Sequence, residues 1–328
     1  MRFAFTDDQL AFRDAVADVL AKEAGADAWA ALAAMGVAGI CVPEADGGMG
    51  MSLLDLEPIL EAVGRACVPG PIVDTAAVAP VLLNAVGGAA ARRLLGEIAA
   101  GERTVAVCLE PGVPVERADT VLLAGPDGLV AIERAAVDAA GRAVDSVDPQ
   151  RSLVVLDAVP AASEPLGAVG DDALEAARRA GAIGTAAVLV GLGDRMLELS
   201  VGYAAERKQF GVPIGSFQAV KHHLADATLA NEFAKPLVRH AAAIASGVAA
   251  DPAHPVPAEP AVAASMAKAA ASDAAQVVAA QALQCHGAIG YTVEYELHLY
   301  LKRTWALAEA WGSAAWHREL LARRLLDA

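Results

Sequence analysis

The sequence predicts a mainly α-helical chain with a small β domain set between two helical ones. Three observations carry this: alanine-rich stretches with apolar residues at helical spacing near both ends, a middle stretch of short strand-like runs, and Gly or Pro breaks where the character changes. At 328 residues the chain has room for two or three domains, because a single core stops growing at roughly 250 residues. Hydrophobic residues make up 56% and aromatic residues only 4%, which suits thin, closely spaced helices.

In the first helical domain, residues 1–101, Thr6 is the expected N-cap, and Leu10, Phe12, Val16 and Leu20 then recur on one helical face. A second helix breaks at Gly36 and passes into PEADGGMG, a glycine loop of a size to hold a ligand. The chain restarts at Ser52, with Asp55 three residues on as its capping partner. After the Pro69 to Pro71 interruption, Asp74 to Glu97 adds further short helices.

The middle domain, residues 102–168, begins where TVAVCLE, DTVLLAG, LVAIERAAV and RSLVVLDAV read as short strands between turns. These are too short and too often interrupted for a doubly wound nucleotide-binding sheet. The last domain, residues 169–328, is a predicted four-helix bundle, with helices over Asp171–Glu206, Phe217–Ala249, Ala261–Gln284 and Glu296–Leu326. Pro252, Pro255 and Pro257 keep the link between the middle pair a loop.

Twenty-five basic against forty acidic side chains give a formal charge of −15, which repels phosphate backbones and speaks against nucleic acid as a partner. Cys41, Cys67, Cys108 and Cys285 are too scattered for a zinc cluster and read as small buried apolar residues. The opening MRFAFTDDQLAFRDA carries charge throughout, unlike a signal peptide. The apolar tracts Thr75–Ala91 and Gly181–Gly193 fall short of the roughly 20 residues of a membrane span. A soluble, reducing, cytoplasmic setting is expected, with no membrane association.

Two passages stand out chemically. In YAAERKQFGVPIGSFQAVKHHLAD, Tyr203 to Asp226, a helix ends, the chain turns at Gly211 and Pro213, and a new helix starts near Ser216. One reading is a helical hairpin capped by Lys208 and Gly211 with Ser216 as N-cap. The other puts Arg207 at the bend to grip a phosphate, with Phe210 as a flat face and Gln218 as an amide. In QCHGAIGYTVE, Gln284 to Glu294, Gly287, Ala288 and Gly290 either turn a corner or let something flat or anionic approach the backbone. This is not the dinucleotide fingerprint, since it follows a helix rather than a strand.

His222 and His223 are adjacent, not three or four residues apart as a helical metal site prefers, and His286 reads as a satisfied polar group. No serine sits in a nucleophile elbow. Glu175, Asp194, Glu206, Glu294 and Glu309 are the possible proton acceptors, and a base acting on a weak carbon acid must lie in a dry pocket.

Taken together these passages resemble the acyl-CoA dehydrogenase family. VPEADGGMG and LEAVGRA resemble its N-terminal loop and following helix, Tyr203 to Asp226 its most recognisable segment, and QCHGAIGYTVEYELHLYLKR its glycine turn, all in the family's order. The resemblance spans essentially the whole chain and implies an N-terminal helical domain, a middle β domain, a C-terminal four-helix domain and assembly as dimers or tetramers. It implies FAD as cofactor, with Arg207 on the pyrophosphate, Phe210 packed against the cofactor and Gln218 lining that site. Gln284, Gly287, Ala288 and Gly290 would come from the other chain, Ala288 standing where the family usually has glycine.

Family chemistry uses a glutamate to take the proton α to a thioester while a hydride leaves from the β carbon. Two departures bear on it. One family position for that glutamate, before a glycine in the last helical region, is here Trp311, and the other falls at about Gly181. The middle domain keeps Glu110 and Pro111 but is shorter than the family's. The chain's short length and its HLYLKR ending resemble the smaller subunits of two-component actinobacterial enzymes that degrade steroid side chains and rings, in which a longer companion chain supplies the glutamate. The expectation is therefore an FAD-dependent acyl-CoA dehydrogenase subunit of unknown catalytic residue, working on an acyl-CoA with a longer partner subunit and an electron-transfer acceptor. A purely structural subunit, and a self-sufficient homomer using a displaced base such as Glu175 or Glu309, are the alternatives.

Overall fold

The computed structural model describes residues 5–22, 26–247 and 259–326. Helix α1 (Asp7–Leu20) opens with the expected capping box: Thr6 Oγ1 accepts from Gln9 N–H at 3.2 Å and Gln9 Oε1 from Thr6 N–H at 2.9 Å. Val16 and Leu20 are buried. Helix α2 (Ala26–Ala34) stops before Gly36, whose φ of +77° few other residues tolerate. The glycine loop that follows folds back on the chain's own backbone. Met49, Gly50 and Met51 donate to Gly39, Val42 and Ile40 carbonyls at 2.8–2.9 Å, and a side chain at Gly48 would run into Val42. Gly48 is pressed on the chain's own backbone, while Gly47, with φ of +86°, stands open.

Helix α3 (Leu53–Arg65) is capped by Ser52, whose hydroxyl and N–H both donate to Asp55, at 2.6 and 2.9 Å. A short π-helical turn, Asp74–Val78, then leads into α4 (Ala79–Val86) and α5 (Gly88–Ala99).

The strands β1 (Val105–Cys108), β2 (Pro114–Glu116), β3 (Thr120–Gly125) and β4 (Gly128–Glu133) precede a short helix α6 (Arg134–Ala140). After it come β5 (Arg142–Val144), β6 (Leu153–Val155) and β7 (Glu164–Gly167). One sheet has the order β1-β3-β4-β7, parallel only between β1 and β3, and the other is antiparallel with the order β2-β6-β5. Ala106, Cys108, Leu123, Ile132 and Val154 fill a small core here. All four predicted runs contain a strand, but LVAIERAAV turns helical at Arg134. The strands β2, β5 and β7 are only three or four residues long, β5 and β7 mostly exposed, and their pairing, not their composition, makes them strands.

The bundle begins with α7 (Asp171–Glu206), the span expected from sequence. This helix is apolar and long enough to cross a membrane, but 83% of its most apolar window is buried inside the protein, as in the core helix of a soluble fold. Its glycines admit α3: a side chain at Gly191 would strike the Glu61 carbonyl, and one at Gly64 the Val188 carbonyl. A two-residue hairpin, β8 (Lys208–Gln209) with β9 (Val212–Pro213), leads into α8 (Gln218–Ala245). Ser216 is not the N-cap of α8: its hydroxyl donates to the Pro213 carbonyl at 2.7 Å, and Phe217 stands at the cap. The proline-rich link falls mostly at 248–258, outside the described residues. Helix α9 (Pro260–His286) follows.

The single last helix expected from sequence is two, α10 (Leu297–Glu309) and α11 (Ala314–Leu326). They are separated at Trp311 and Gly312, with φ of +56° and +100°. The break is held from inside the bundle. Lys268 of α9, fully buried, donates to the carbonyls of Ala308 and Gly312, both at 2.9 Å, and to Ser272 Oγ at 3.0 Å. His317 Nε2 lies 3.0 Å from the Trp311 carbonyl.

Arg303 of α10 ties the three regions together. Its guanidinium donates to Asp148 beside the second sheet, to the Val68 carbonyl after α3 at 2.7 Å and to Gln150 at 3.3 Å. Both members of the Arg303–Asp148 pair are buried.

Candidate active site and cofactor surface

A cavity of about 860 Å³ lies where the three regions meet, between the segment after α3, strands β1 and β2, and helices α7, α10 and α11. Its apolar walls include Val63, Ile72, Val107, Leu307 and Trp316. Its charged groups are largely paired with one another: Arg178 with Glu110 at 3.3 Å and with Glu175 at 3.5 Å, and Arg151 with Glu116 at 3.3 Å.

One wall is Trp311. Its indole lies flat on Gly181 of α7, filling the space any side chain there would need. Indole Nε1–H donates to Asp74 Oδ1 at 3.1 Å, and the Val107 N–H donates to Asp74 Oδ2 at 3.0 Å. The two positions at which the resemblance sets a catalytic glutamate therefore hold an indole and the glycine it covers. Burial pushes the Lys268 ammonium that holds this turn down to about 7, and the His317 imidazole, by burial and then the nearby Lys268, down to about 4.

Of the carboxylates singled out from sequence, only Glu175 and Glu309 reach the cavity, and Glu309 is exposed. Asp194 is bound by Lys235 at 2.9 Å and Asn231 at 2.8 Å, while Glu206 and Glu294 are exposed elsewhere. Sequence reasoning missed Asp74, which no motif marks. All four cysteines have thiols pushed up by burial, Cys41 to about 12 and Cys67 and Cys108 to about 11, so none is an activated nucleophile. His222 and His223 are both exposed, and among the described residues no cluster of three metal-ligating side chains exists.

The second place of interest is one end of the bundle. Arg207 follows the last turn of α7, is exposed, and makes no ion pair among the described residues. Phe210, with φ of +52° at the tip of the hairpin, is 93% exposed, and Phe217 meets it edge-on at 6.2 Å. Gln218 is exposed at the start of α8. The glycine corner packs against the same end of α7: Tyr203, one turn before Arg207, stacks on His286 at 4.5 Å between ring centres. The two segments, which the resemblance assigns to different chains' sites, thus share one end of this bundle.

Within the corner, Gln284, Gly287 and Ala288 are exposed, and nothing stands within 4 Å of a side chain built at Gly287, whose φ is +65°. Gly290 is buried and lets the turn close on Leu283, His286 and Leu297, so its freedom serves packing. His286 Nδ1–H donates to the Ala282 carbonyl at 2.8 Å, a structural histidine. A guanidinium with no ion pair among the described residues, an exposed phenyl ring, two exposed amides and an open glycine suit a phosphate-linked aromatic cofactor. The residues present fit one.

Residues 172–326 match the sequence model of the C-terminal domain of acyl-CoA dehydrogenases, and residues 4–102 that of the N-terminal domain. The chain is 34% identical to acyl-CoA dehydrogenase IpdE2 of Mycobacterium tuberculosis over 97% of its own length and 96% of that protein's. It is 33% identical to acyl-CoA dehydrogenase FadE34 of the same organism, over 92% of this chain and 43% of that one. Among solved structures, the ChsE4-ChsE5 complex from M. tuberculosis contains a chain matching with a TM-score of 0.84, at 20% identity and full coverage of both chains. The Tcur3481-Tcur3483 steroid acyl-CoA dehydrogenase G363A variant matches with a TM-score of 0.81, at 25% identity and 98% coverage of both. The chain belongs to the acyl-CoA dehydrogenase family, and FAD is the cofactor that membership assigns to it.

Proposed function

We propose that this chain is one subunit of a heteromeric, cytoplasmic acyl-CoA dehydrogenase that desaturates a bulky CoA thioester, possible steroid-derived ones included, with the catalytic base supplied by a longer partner subunit. The observation that carries the reading is the indole of Trp311 seated on Gly181, which leaves no carboxylate at either base position while an 860 Å³ cavity persists beside it. Assembly in pairs, as in the ChsE4-ChsE5 complex and the Tcur3481-Tcur3483 enzyme, supports a partner-dependent site, and the name of the latter supports a steroid-type acyl group.

In this reading FAD supplies the two-electron oxidising chemistry, and a separate electron-transfer acceptor drains it. This chain's part is binding. Arg207 offers its fork to the pyrophosphate, Phe210 packs on the cofactor and Gln218 lines that site, while Gln284 and the backbone of Gly287 and Ala288 meet the cofactor held by a neighbouring chain. The cavity takes the thioester acyl group between its apolar walls. Of the carboxylates singled out from sequence that reach the cavity, Glu175 is held by Arg178 and Glu309 is exposed, so neither has the dry setting a base for this proton requires.

The test is co-expression with a longer acyl-CoA dehydrogenase chain from the same genome, followed by an absorption spectrum and dye reduction with a CoA thioester. Flavin and activity that appear only in the complex support the reading. A chain that is yellow and active by itself refutes it. In the complex, Arg207→Ala should lower flavin content at limiting FAD about 10-fold or more, the size of a lost charge-assisted hydrogen bond. Unchanged content would remove Arg207 from the cofactor surface.

A further inference from the structure

One carboxyl of the cavity, Asp74, is bonded to neutral donors alone. Asp74 opens the π-helical turn after α3, lines the cavity, and makes no ion pair among the described residues. Arg178, Glu175, Glu110, Arg151 and Glu116 around it all have ionic partners. Asp74 is held only by two neutral donors, the Val107 N–H and the Trp311 indole, one on each carboxylate oxygen. Each oxygen accepts one bond, which leaves further acceptor capacity. The residue is half-buried, and it stands on the cavity wall with Ile72, Val73 and Val107.

A carboxyl group in such a place costs stability that an apolar side chain would not, since two neutral hydrogen bonds do not replace the hydration of a charge. A π-helical turn is also a costly local geometry that recurs at functional sites. The turn sets Asp74 against β1 and the indole, so an unusual backbone and an unneutralised carboxyl coincide on the wall of a large apolar cavity.

We propose that Asp74 is the specificity-determining residue of this cavity, and that the acyl group it selects carries a hydroxyl or carbonyl oxygen on an otherwise bulky hydrocarbon body. This rests on the reading of the cavity as a CoA thioester site. Burial pushes the Asp74 carboxyl up to about 7, so near neutral pH both forms are present. The ionised form accepts from a ligand hydroxyl, and the protonated form donates to a ligand carbonyl. The charged groups nearest it, Glu116 and Arg151, offset one another as a pair and act on it only at a distance. A site that desolvates a carboxyl for a polar group rejects the analogue lacking that group far more strongly than apolar contacts alone do.

The experiment titrates the co-expressed complex calorimetrically with two probes, cyclohexanecarbonyl-CoA and 4-hydroxycyclohexanecarbonyl-CoA. The unaltered protein should bind the hydroxylated thioester at least about 10-fold more tightly, and Asp74→Val should bring the ratio near one while binding of the plain thioester holds or improves. Asp74→Asn keeps a polar side chain of the same shape and is the second variant should the valine form fold poorly. It should retain part of the preference, with melting temperature confirming an intact fold. A ratio near one in the unaltered protein, or an equal loss for both probes in the variants, makes Asp74 merely structural and overturns the proposal. Failure of the unaltered complex to bind either thioester is a different result: it overturns the CoA thioester reading, and the assignment with it.

Discussion

The cavity and the hairpin end of the bundle are built in opposite ways. Around the cavity, Asp74 and Glu309 apart, charges are paired or held from inside: Arg303 with Asp148, Arg151 with Glu116, Arg178 with Glu110, and Lys268 by three oxygen acceptors. At the hairpin end, Arg207, Phe210, Gln218 and Gln284 all stand exposed, and Arg207 has no ionic partner among the described residues. A region finished within one chain has its polar groups satisfied there; a region that keeps a cation and an aromatic ring unsatisfied is finished by something else. The contrast separates what this chain completes alone from what it contributes to an assembly.

The comparison is broken most forcefully on the cavity side. Arg303→Ala leaves the Asp148 carboxylate buried without its partner and removes the bond to Val68, so the chain should lose about 3–5 kcal/mol in denaturant unfolding. Unfolding unchanged by this substitution would show that the three regions are not held together there. Next in size is Gly181→Ala, whose new methyl group meets the Trp311 ring and should cost about 1–3 kcal/mol. Adding Trp311→Gly should return much of that loss, and a double-mutant cycle that is additive would mean the ring and the glycine are not in contact.

A third prediction sharpens the inner region through pH. Lys268 has its folded pKa lowered from 10.5 to about 7, so between those values the folded chain binds fewer protons than the unfolded one. Its effect is a stability that rises with pH across that window and is lost as pH falls from 10.5 towards 7. Lys268→Met should flatten this part of the stability profile, and an unchanged slope would show that the ammonium is not desolvated. The smallest effect belongs to the outer region. Arg207→Ala should change the unfolding free energy of the chain by less than about 0.5 kcal/mol, since the side chain is exposed and unpaired, even while flavin content of the complex falls.

Local rules explain which elements were legible. The capping boxes at Thr6 and Ser52 and the whole of α7 follow from residues within a few positions of one another. The break at Trp311 and Gly312 was misread as continuous helix because Trp, Gly and Ser interrupt an apolar pattern only briefly. What opens the turn is Lys268, some forty residues earlier in the chain, reaching two of its carbonyls. In the PEADGGMG loop the limit is complementary: composition shows that backbone approaches closely there, but not that Gly48 meets the chain's own Val42.

The sequence by itself determined the helices, the strand-rich middle and the segments that mark the family, since propensity, caps and periodicity act over a few residues. The candidate carboxylates it offered were chosen without knowledge of burial, and most stand in solvent or in ion pairs. Only tertiary structure decided that Trp311 lies on Gly181, that Arg303 meets Asp148 across 155 positions, and that Asp74 stands on a cavity wall beside an indole 237 positions away. The physical reason is desolvation: the chemistry of a carboxyl or an ammonium is set by what excludes water from it, and those groups arrive from distant parts of the chain.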